Sequence, residues 1–225
     1  MLPVHPAGKY YFNTLTSLIL RNENILFEGC KLKNLFPINR LDRETSGLVV
    51  FAKSSSLAAK LQHIFSSSDT LKKYSAIVFG KTLPSWVVDK PLAKKQFGEI
   101  RNHMVVDNSG LPSKTSFKTL KSFDSFSLIE AILHSGRRHQ IRAHLSFNQT
   151  PIVGDKQYGL HPELFVDFVS NPSLVSDIEC VLLVGSVRQL LHCSNISFFH
   201  PVTSVLLDFT APSPNDFNYF LNKFN

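Results

Sequence analysis

The 225-residue sequence is poor in cysteine and has no long apolar run. Cys30, Cys180 and Cys193 are unevenly spaced and form no CxxC pair, which indicates neither a disulfide framework nor a thiolate zinc site. Apolar runs such as Leu48 to Ala52 stay far below the ~18 residues that a membrane span needs. We therefore expect a protein of a reducing compartment that has no membrane partner.

The N-terminal stretch MLPVHPAGKYYF lacks the features of a targeting segment. It has no apolar core of the kind found in secretory signals, and its prolines and scarce arginines argue against an amphipathic transit peptide. We expect a location in the cytoplasm or the nucleus, with the mitochondrion as the remaining alternative.

Acidic residues are outnumbered, because 17 Asp and Glu stand against 24 Lys and Arg and give a formal charge of +7. Such an excess favours a polyanionic partner such as nucleic acid, although many basic proteins bind none. Hydrophobic residues make up 43% of the chain, which is enough for a sizeable core. The composition is that of a globular protein with nucleic acid among its candidate partners.

The hydrophobic pattern predicts both strands and helices. Ser54 to Ser56 offer caps for one helix, and Asn13 or Thr14 offers a cap for a shorter one. Residues 84–125 combine short β-like pieces with lysines, which indicates antiparallel strands with solvated edges. The other predicted elements are strands over Leu48–Ala52, Lys73–Gly80 and Phe126–Leu133, a helix over Arg137–Phe147, a loop over Pro151–Gly159, strands around Val181, Ile196 and Leu206, and a terminal helix from Asn215 or Asp216. Since the sequence shows no repeat or linker, we expect one α+β domain.

Asp42 lies between Arg40 and Arg43 in the stretch NRLDRETSG, just before the predicted strand at Leu48. Nearby positive charge holds a carboxylate ionised, as a nucleophile or a general base requires. A salt bridge that stabilises the loop explains the same pattern, because structural ion pairs perturb carboxylates as functional ones do. Both interpretations stay open on this stretch alone.

Histidines and arginines cluster in the stretch HSGRRHQIRAHL, residues 134–145. His139 and His144 are five positions apart, which turns them away from each other on a helix, and no Cys or carboxylate neighbour completes a ligand set. We therefore expect no metal here. The arginines Arg137, Arg138 and Arg142 suit phosphates or a buried carboxylate, and a solvated helix face is the alternative.

Tyr74 opens a predicted strand directly after Lys72 and Lys73. An aromatic ring beside positive charge can stack on a base while the lysines contact phosphate, but packing in the core explains Tyr74 equally well. The later loop TPIVGDKQYG has glycines and a proline that suit a fixed backbone path, yet it lacks the residue order of a phosphate-binding loop.

Four of these stretches resemble, in the same order, the motifs of RluA-type RNA pseudouridine synthases. They are RLDRETSGL from Arg40, KYSAIVFG from Lys73, GRRHQIRAHL from Gly136, and PIVGD followed by YG from Pro151. A tail with LHC, FFHP and APSPNDF between Leu191 and Phe217 is similar to the family's C-terminal signature. The resemblance covers nearly the whole chain.

The resemblance implies an isomerase that converts uridine to pseudouridine within RNA and needs neither a metal nor another cofactor. Asp42 would be the catalytic aspartate, Tyr74 the ring that stacks on the target base, and Arg142 the partner of the aspartate. The residues that would support the loop are Arg40 and Thr45, and those expected to contact RNA are Arg137, Arg138 and Lys73. The family's fold is α+β, with helices around a mixed, mainly antiparallel sheet that is cut by a central cleft.

The sequence departs from the family's pattern at three places. Asn39 stands where the family usually has histidine, and Arg138 replaces a usual threonine. The first eight residues resemble the second half of a motif that normally follows a strand ending in Lys-Pro. We expect a single catalytic domain over residues 1–225, without that first strand and without the RNA-binding S4 domain of many relatives, acting as a monomer.

The stretch VHPAGKYYFNTL resembles eukaryotic members that modify position 32 of the tRNA anticodon loop, so tRNA is the expected substrate and ribosomal RNA the alternative. A catalytically silent RNA-binding relative would lose the aspartate, and Asp42 is present. A metal-dependent nuclease would need clustered carboxylates, whereas Glu44 is the one such neighbour of Asp42 in this stretch. The shared site predicts Asp42 and Arg142 within about 4 Å of each other, in a cleft walled by Tyr74.

Overall fold

The computed structural model describes residues 3–4, 12–22, 34–67, 69–95, 102–160 and 184–223. The helices are α1 (Leu15–Arg21), α2 (Ser55–Ser66), α3 (Gln140–Phe147), α4 (Lys156–Gly159) and α5 (Asn215–Lys223). The strands are β1 (Phe36–Pro37), β2 (Ser46–Gly47), β3 (Phe51–Ala52), β4 (Leu71–Phe79), β5 (Ser85–Asp89), β6 (Leu92–Lys94), β7 (Met104–Val106), β8 (Lys114–Ser122), β9 (Phe126–Leu133), β10 (Leu191–Phe199) and β11 (Leu206–Thr210). The predicted strand around Val181 lies outside the described residues.

The described residues form a seven-stranded sheet with β4 and β10 near its middle. The order is β11–β10–β4–β9–β8–β5, and every neighbouring pair in this order is antiparallel. Strand β2 adds a parallel pair with β10, while β1–β3 and β6–β7 form two separate antiparallel pairs. The prediction of an α+β protein with a mixed, mainly antiparallel sheet is therefore confirmed.

Two helices begin where the sequence offers a capping hydroxyl. Thr14 Oγ1 accepts a hydrogen bond from the Ser17 amide at 3.2 Å, and Ser54 Oγ accepts one from the Leu57 amide at 3.3 Å. These bonds satisfy amide groups that have no carbonyl partner in the first turn of a helix. Thr14 is therefore the cap of α1 and Ser54 the cap of α2.

The predicted strand over Leu48–Ala52 is shorter than expected, because only Phe51 and Ala52 have strand pairing. The side chain of Asn39 takes the place of a neighbouring strand for the preceding residues. Its amide nitrogen donates to the Leu48 carbonyl at 3.1 Å, and its oxygen accepts from the Val50 amide at 2.8 Å. A bond between a side chain and the backbone of another segment has no signal in the local apolar pattern from which the strand was predicted.

The predicted helix over Arg137–Phe147 begins only at Gln140, because His139 adopts a left-handed conformation with φ of 52°. The predicted loop at Pro151–Gly159 was wrong in its last part, where the turn of α4 forms. Asp155 caps this turn by accepting hydrogen bonds from the amides of Gln157 and Tyr158, each at 3.1 Å.

Apolar side chains cover both faces of the sheet. Ala76 and Val78 of β4 pack in one cluster with residues of α2 and α3, whereas Ile77 packs in a second cluster with Phe217 of α5. Successive strand residues point to opposite faces, so α2 and α3 lie on one face and α5 on the other. Within the described ranges, no helix has the length and apolar content to cross a membrane.

Candidate active site

Strand β10 holds the loop that contains Asp42 against the middle of the sheet. His192 and Cys193 of β10 pair with β2 on one edge and with β4 on the other, where Tyr74 stands opposite Cys193. Gly47 of β2 permits this close approach, since its φ is +113° and a Cβ there would lie 2.2 Å from the Cys193 carbonyl oxygen. The register brings the loop and Tyr74 to two sides of one short segment.

Asp42 meets Arg142 across 100 positions of sequence, with Arg142 Nη1 donating to Asp42 Oδ2 at 2.9 Å. The predicted contact within about 4 Å is thus confirmed. The same guanidinium donates to Asp155 from Nε at 2.7 Å and from Nη2 at 2.9 Å. Arg142 therefore binds two carboxylates at once and leaves the Oδ1 atom of Asp42 without a bond from this arginine.

These three charged groups differ in their access to solvent. The side chain of Asp155 is 0% exposed and that of Arg142 8%, whereas that of Asp42 is 27% exposed. Burial lowers the pKa of Arg142, but the charges and hydrogen bonds of Asp155 and Asp42 outweigh it and raise the pKa above the ordinary value of a guanidinium. Arg142 stays charged, and Asp42 is the member of the group that a substrate can reach.

Tyr158 and His139 form the next layer of the site. The Tyr158 ring lies 4.9 Å from the centre of the Arg142 guanidinium, and its hydroxyl lies 3.1 Å from His139 Nδ1. His139 Nε2 lies 3.8 Å from Asp42 Oδ1. Burial lowers the pKa of His139 to about 4, although the charge of Asp42 acts in the opposite direction. The imidazole is therefore neutral at neutral pH.

Lys156 fixes Glu44, which lies two positions after Asp42. Its Nζ donates to the Glu44 carboxylate oxygens at 3.0 and 2.9 Å and to the Val187 carbonyl at 2.6 Å. The Lys156 side chain is only 6% exposed, so the contact with Glu44 is shielded from water. The ion pair joins the Asp42 loop to α4 and to the segment that leads into β10.

Arg188 and Gln189 bind the same loop from the other side. Arg188 Nη1 donates to the Glu44 carbonyl at 3.2 Å, and Gln189 Nε2 donates to Thr45 Oγ1 at 2.6 Å. Arg188 is itself anchored by Asp216 of α5, to which Nη2 donates at 2.7 Å. Thr45 is thus a bonded part of the loop, and its support of the reaction stays a prediction.

Tyr74 lies in the core beside the loop and is 8% exposed. Burial raises the pKa of Tyr74 well above that of free tyrosine, and the nearby Cys193 thiol and Asp42 carboxylate add to the shift. Cys193 is a free, buried cysteine whose own pKa is raised to about 11 by burial. The charge of Asp42 thus contributes to the raised pKa of Tyr74. Stacking of the Tyr74 ring on a base stays a prediction.

Three of the predicted contacts with RNA lie outside this cluster. Lys73 stands on the face of β4 opposite to Tyr74, and its Nζ lies 3.6 Å from Glu130. Arg137 and Arg138 are exposed in the turn before α3. The structure brings Asp42, Tyr74 and Arg142 together and does not bring Lys73 to them.

Arg40, predicted to support the loop, is exposed. Its side chain makes no hydrogen bond or ion pair with the residues that the structure describes. A role for Arg40 therefore stays a prediction.

The three histidines of the stretch from residue 134 have separate partners. His134 Nε2 lies 2.7 Å from Ser116 Oγ, and His144 Nδ1 lies 2.9 Å from Thr115 Oγ1. His139 faces Tyr158 and Asp42. The described part of the chain contains no group of three His, Cys, Asp or Glu that could hold a metal ion.

Sequence reasoning assigned no role to Asp155, His139 or Tyr158. Asp155 had one available signal, because an Asp after a glycine and before a helical turn is a typical cap. Its contact with Arg142 has no local signal, since the two lie on different elements. Gly154 makes the turn before Asp155 possible, because its φ is +81° and a side chain does not fit there. A Cβ at this position would lie 1.8 Å from the Arg188 carbonyl oxygen.

Residues 2–147 match the model of a known family, RNA pseudouridylate synthase. Ribosomal large subunit pseudouridine synthase D of Blochmanniella floridana is 33% identical over 215 residues, which cover 95% of this chain and 64% of the relative. The protein of the same name from Yersinia pestis is 30% identical over 185 residues, or 82% of this chain and 54% of the relative. The chain thus spans between half and two thirds of the length of these relatives.

A solved structure described as human RNA Pseudouridylate Synthase Domain Containing 4 has a similar fold. It is 25% identical with a TM-score of 0.74, and the similarity covers 99% of this chain and 86% of the human one. The described sheet therefore occurs in an independently solved protein.

Proposed function

The chain belongs to the RNA pseudouridylate synthase family, and we propose that it isomerises uridine to pseudouridine in structured RNA, with Asp42 as the catalytic residue. One observation carries this proposal: Arg142 holds Asp42 through Oδ2 alone, at 2.9 Å, in a part of the site that remains open to solvent. A carboxylate fixed by one oxygen can act with the other.

The reaction needs few chemical groups. The N-glycosidic bond between uracil and ribose breaks, the uracil turns within the site, and its C5 atom joins the sugar in place of N1. The proton that leaves C5 is balanced by one gained at N1, so the reaction involves no net oxidation or reduction and needs no redox cofactor. Asp42 acts directly on the nucleoside, at the sugar or at the base, and the hydrogen bond from Arg142 fixes the position of its carboxylate.

The uridine must leave its stack before Asp42 can reach it. Extrusion costs a few kcal/mol in a duplex and less in a single-stranded loop, which favours a loop of folded RNA as substrate. Tyr74 is proposed to face the extruded base, since it stands opposite Cys193, which also pairs with Gly47 after the Asp42 loop. Arg137 and Arg138, exposed before α3, are proposed to contact phosphates beside the site.

Two RNA targets compete within this function. The resemblance of the N-terminal stretch favours tRNA, at position 32 of the anticodon loop. The names of the bacterial relatives from Blochmanniella and Yersinia favour the ribosomal large subunit. The contacts described around Asp42 favour neither target over the other.

Pseudouridine mapping of total RNA from cells with and without the gene tests the function and the target together. We expect one or a few uridines to lose their modification, in tRNA if the N-terminal resemblance is decisive and in large-subunit ribosomal RNA if the relatives are. Purified protein should restore the same positions in RNA from the deletion strain. No change at any uridine in cells that normally express the protein, and none in the restored RNA, would contradict the proposal.

A further inference from the structure

Asp42 has one oxygen that Arg142 does not bind, and this Oδ1 atom faces His139 at 3.8 Å from Nε2. That separation is longer than a hydrogen bond. Catalytic hydrogen bonds are often long in the absence of substrate and tighten when it binds. His139 can donate a hydrogen bond to Asp42 only if its proton is on Nε2, so the tautomer of the imidazole decides whether this bond can form.

Tyr158 determines that direction. Its hydroxyl oxygen accepts a hydrogen bond from the Met104 amide at 2.9 Å and lies 3.1 Å from His139 Nδ1. Among the described residues, His139 Nδ1 is the acceptor within reach of the hydroxyl proton. A buried hydroxyl that donates to no acceptor loses a hydrogen bond. The Tyr158 hydroxyl therefore donates its proton to His139 Nδ1.

An imidazole that accepts at Nδ1 and is neutral carries its single proton on Nε2. Burial keeps His139 neutral, with a pKa of about 4. The proton on Nε2 then points toward Asp42 Oδ1. A carboxylate oxygen has two lone pairs, so one can accept from Nε2 while the other stays available for the substrate.

The backbone of His139 has an unusual conformation and a fixed position. Its φ of 52° lies in the left-handed region, which strains a residue other than glycine, and residues strained in this way cluster at functional sites. The Ala143 amide donates to the His139 carbonyl at 2.8 Å, which fixes the residue at the start of α3. The ring also packs edge-on against Tyr158, with centroids 5.8 Å apart.

We propose that His139 is a positioning residue, held by Tyr158 as the Nε2-protonated tautomer, which donates to Asp42 Oδ1 and sets the direction of the reactive oxygen when RNA binds. This role rests on the proposed pseudouridine synthase function. Because the imidazole is neutral, it orients the carboxylate without adding a second positive charge beside Arg142.

The first test is the tautomer, which needs no RNA. Two-bond 1H–15N spectra of the uniformly labelled protein should show a His139 signal with its proton on Nε2, assigned by its loss in His139→Asn. In Tyr158→Phe, which removes only the hydroxyl, the signal should move toward a mixture of the two tautomers. A proton on Nδ1 in the wild-type protein would overturn the proposal.

The second test is kinetic. Asparagine tolerates the left-handed backbone, so His139→Asn keeps the fold while it removes the imidazole. In His139→Asn we expect kcat to fall roughly 10- to 100-fold while KM stays within about twofold, because misdirection of a catalytic group affects the chemical step. The kcat of Tyr158→Phe should fall by a smaller factor. His63→Asn, an exposed histidine on α2, is the matched control and should keep wild-type values.

The tautomer of His139 and its positioning role can each be refuted independently of the proposed function. Wild-type kcat in His139→Asn, with the fold intact by circular dichroism, would refute the positioning role. A wild-type protein that modifies no RNA would refute the proposed function, while the tautomer spectra would still decide the arrangement of Tyr158 and His139.

Discussion

Two groups of arginines and lysines in this molecule differ in their surroundings and in the roles that these surroundings permit. The inner charge cluster comprises Asp42, Glu44, Arg142, Asp155 and Lys156, where every carboxylate contacts a cation at 3.0 Å or less. The outer basic group comprises Lys94, Lys95, Lys114, Lys118, Lys121, Arg137 and Arg138, all of them exposed. The same residue types build a site where they are buried, and remain accessible to phosphate where they are not.

Arg138 and Arg142 show the contrast at closest range. They lie four positions apart, yet Arg138 is exposed in the turn before α3 and Arg142 points inward from α3 to two carboxylates. The left-handed His139 lies between them and separates the turn from the helix. The comparison predicts large effects of substitution on stability in the inner charge cluster and effects on RNA affinity in the outer basic group.

The largest effect is expected for Arg142→Met, which leaves Asp155 as a buried carboxylate without its cation. The free energy of unfolding should fall by about 3–5 kcal/mol, as when one partner of a buried ion pair is removed. Arg138→Met is the matched control and should change stability by at most about 0.5 kcal/mol, as exposed substitutions usually do. Urea denaturation of both variants measures the difference, and equal stabilities would contradict the division into two regions.

Asp155→Asn should have the next largest effect. The amide oxygen can still cap α4, so the change mainly removes the charge that fixes Arg142 through Nε and Nη2. We expect a loss of about 2–3 kcal/mol in stability, because hydrogen bonds between charged groups are worth roughly twice neutral ones, and a slower reaction as Arg142 loses its orientation.

Asp89→Asn is the control for Asp155→Asn. Asp89 lies 3.7 Å from Lys114 with 68% of its side chain exposed, so its loss should cost about 0.5 kcal/mol or less. Thermal and urea unfolding of the two variants should separate them clearly. Similar small losses in both would show that Asp155 adds little to the inner charge cluster.

A smaller and different effect is expected when Arg137 and Arg138 are both changed to Gln. Stability should be unchanged, while RNA affinity falls and the slope of log K against log salt becomes shallower by about 0.7 for each phosphate that the protein no longer neutralises. Filter binding across a range of salt concentrations measures the slope. An unchanged slope would remove these two arginines from the RNA-binding surface.

The smallest effect is expected from chelation. Asp42, Glu44 and Asp155 each contact an arginine or a lysine, which leaves them poorly suited to bind a divalent cation as well. Activity should survive exhaustive treatment with EDTA on an RNA whose fold is checked independently. Loss of activity that added divalent ion restores would show that a metal ion takes part in the reaction.

Sequence patterns predict what depends on neighbours along the chain. Strand β9 was predicted with the observed bounds, and the caps Thr14 and Ser54 were each among the two or three predicted candidates, because alternation and capping are local. The pair of Asp42 and Arg142 was predicted from the resemblance of two separate motifs, since nothing local joins them.

Other features depend on contacts that no local pattern records. The sequence reading missed three features of this kind. Asp155 is the second carboxylate on Arg142, Asn39 bonds the backbone of Leu48 and Val50, and His139 is left-handed. Each results from a residue that meets a distant segment, or from a backbone angle that the tertiary structure imposes. The contact of Asp42 with Arg142 was accessible from the sequence, and the network that holds the Asp42 loop was not.

The replacement of Asp42 by Asn tests the central claim most directly, because it keeps the volume and removes the charge of the carboxylate. Arg142 retains Asp155, so circular dichroism and RNA binding should stay close to wild type. Pseudouridine formation on the RNA identified by mapping should fall roughly a thousandfold or more, as expected when a catalytic nucleophile or base is removed. Activity within about tenfold of wild type would show that the contact between Asp42 and Arg142 is a structural ion pair and not the centre of an active site.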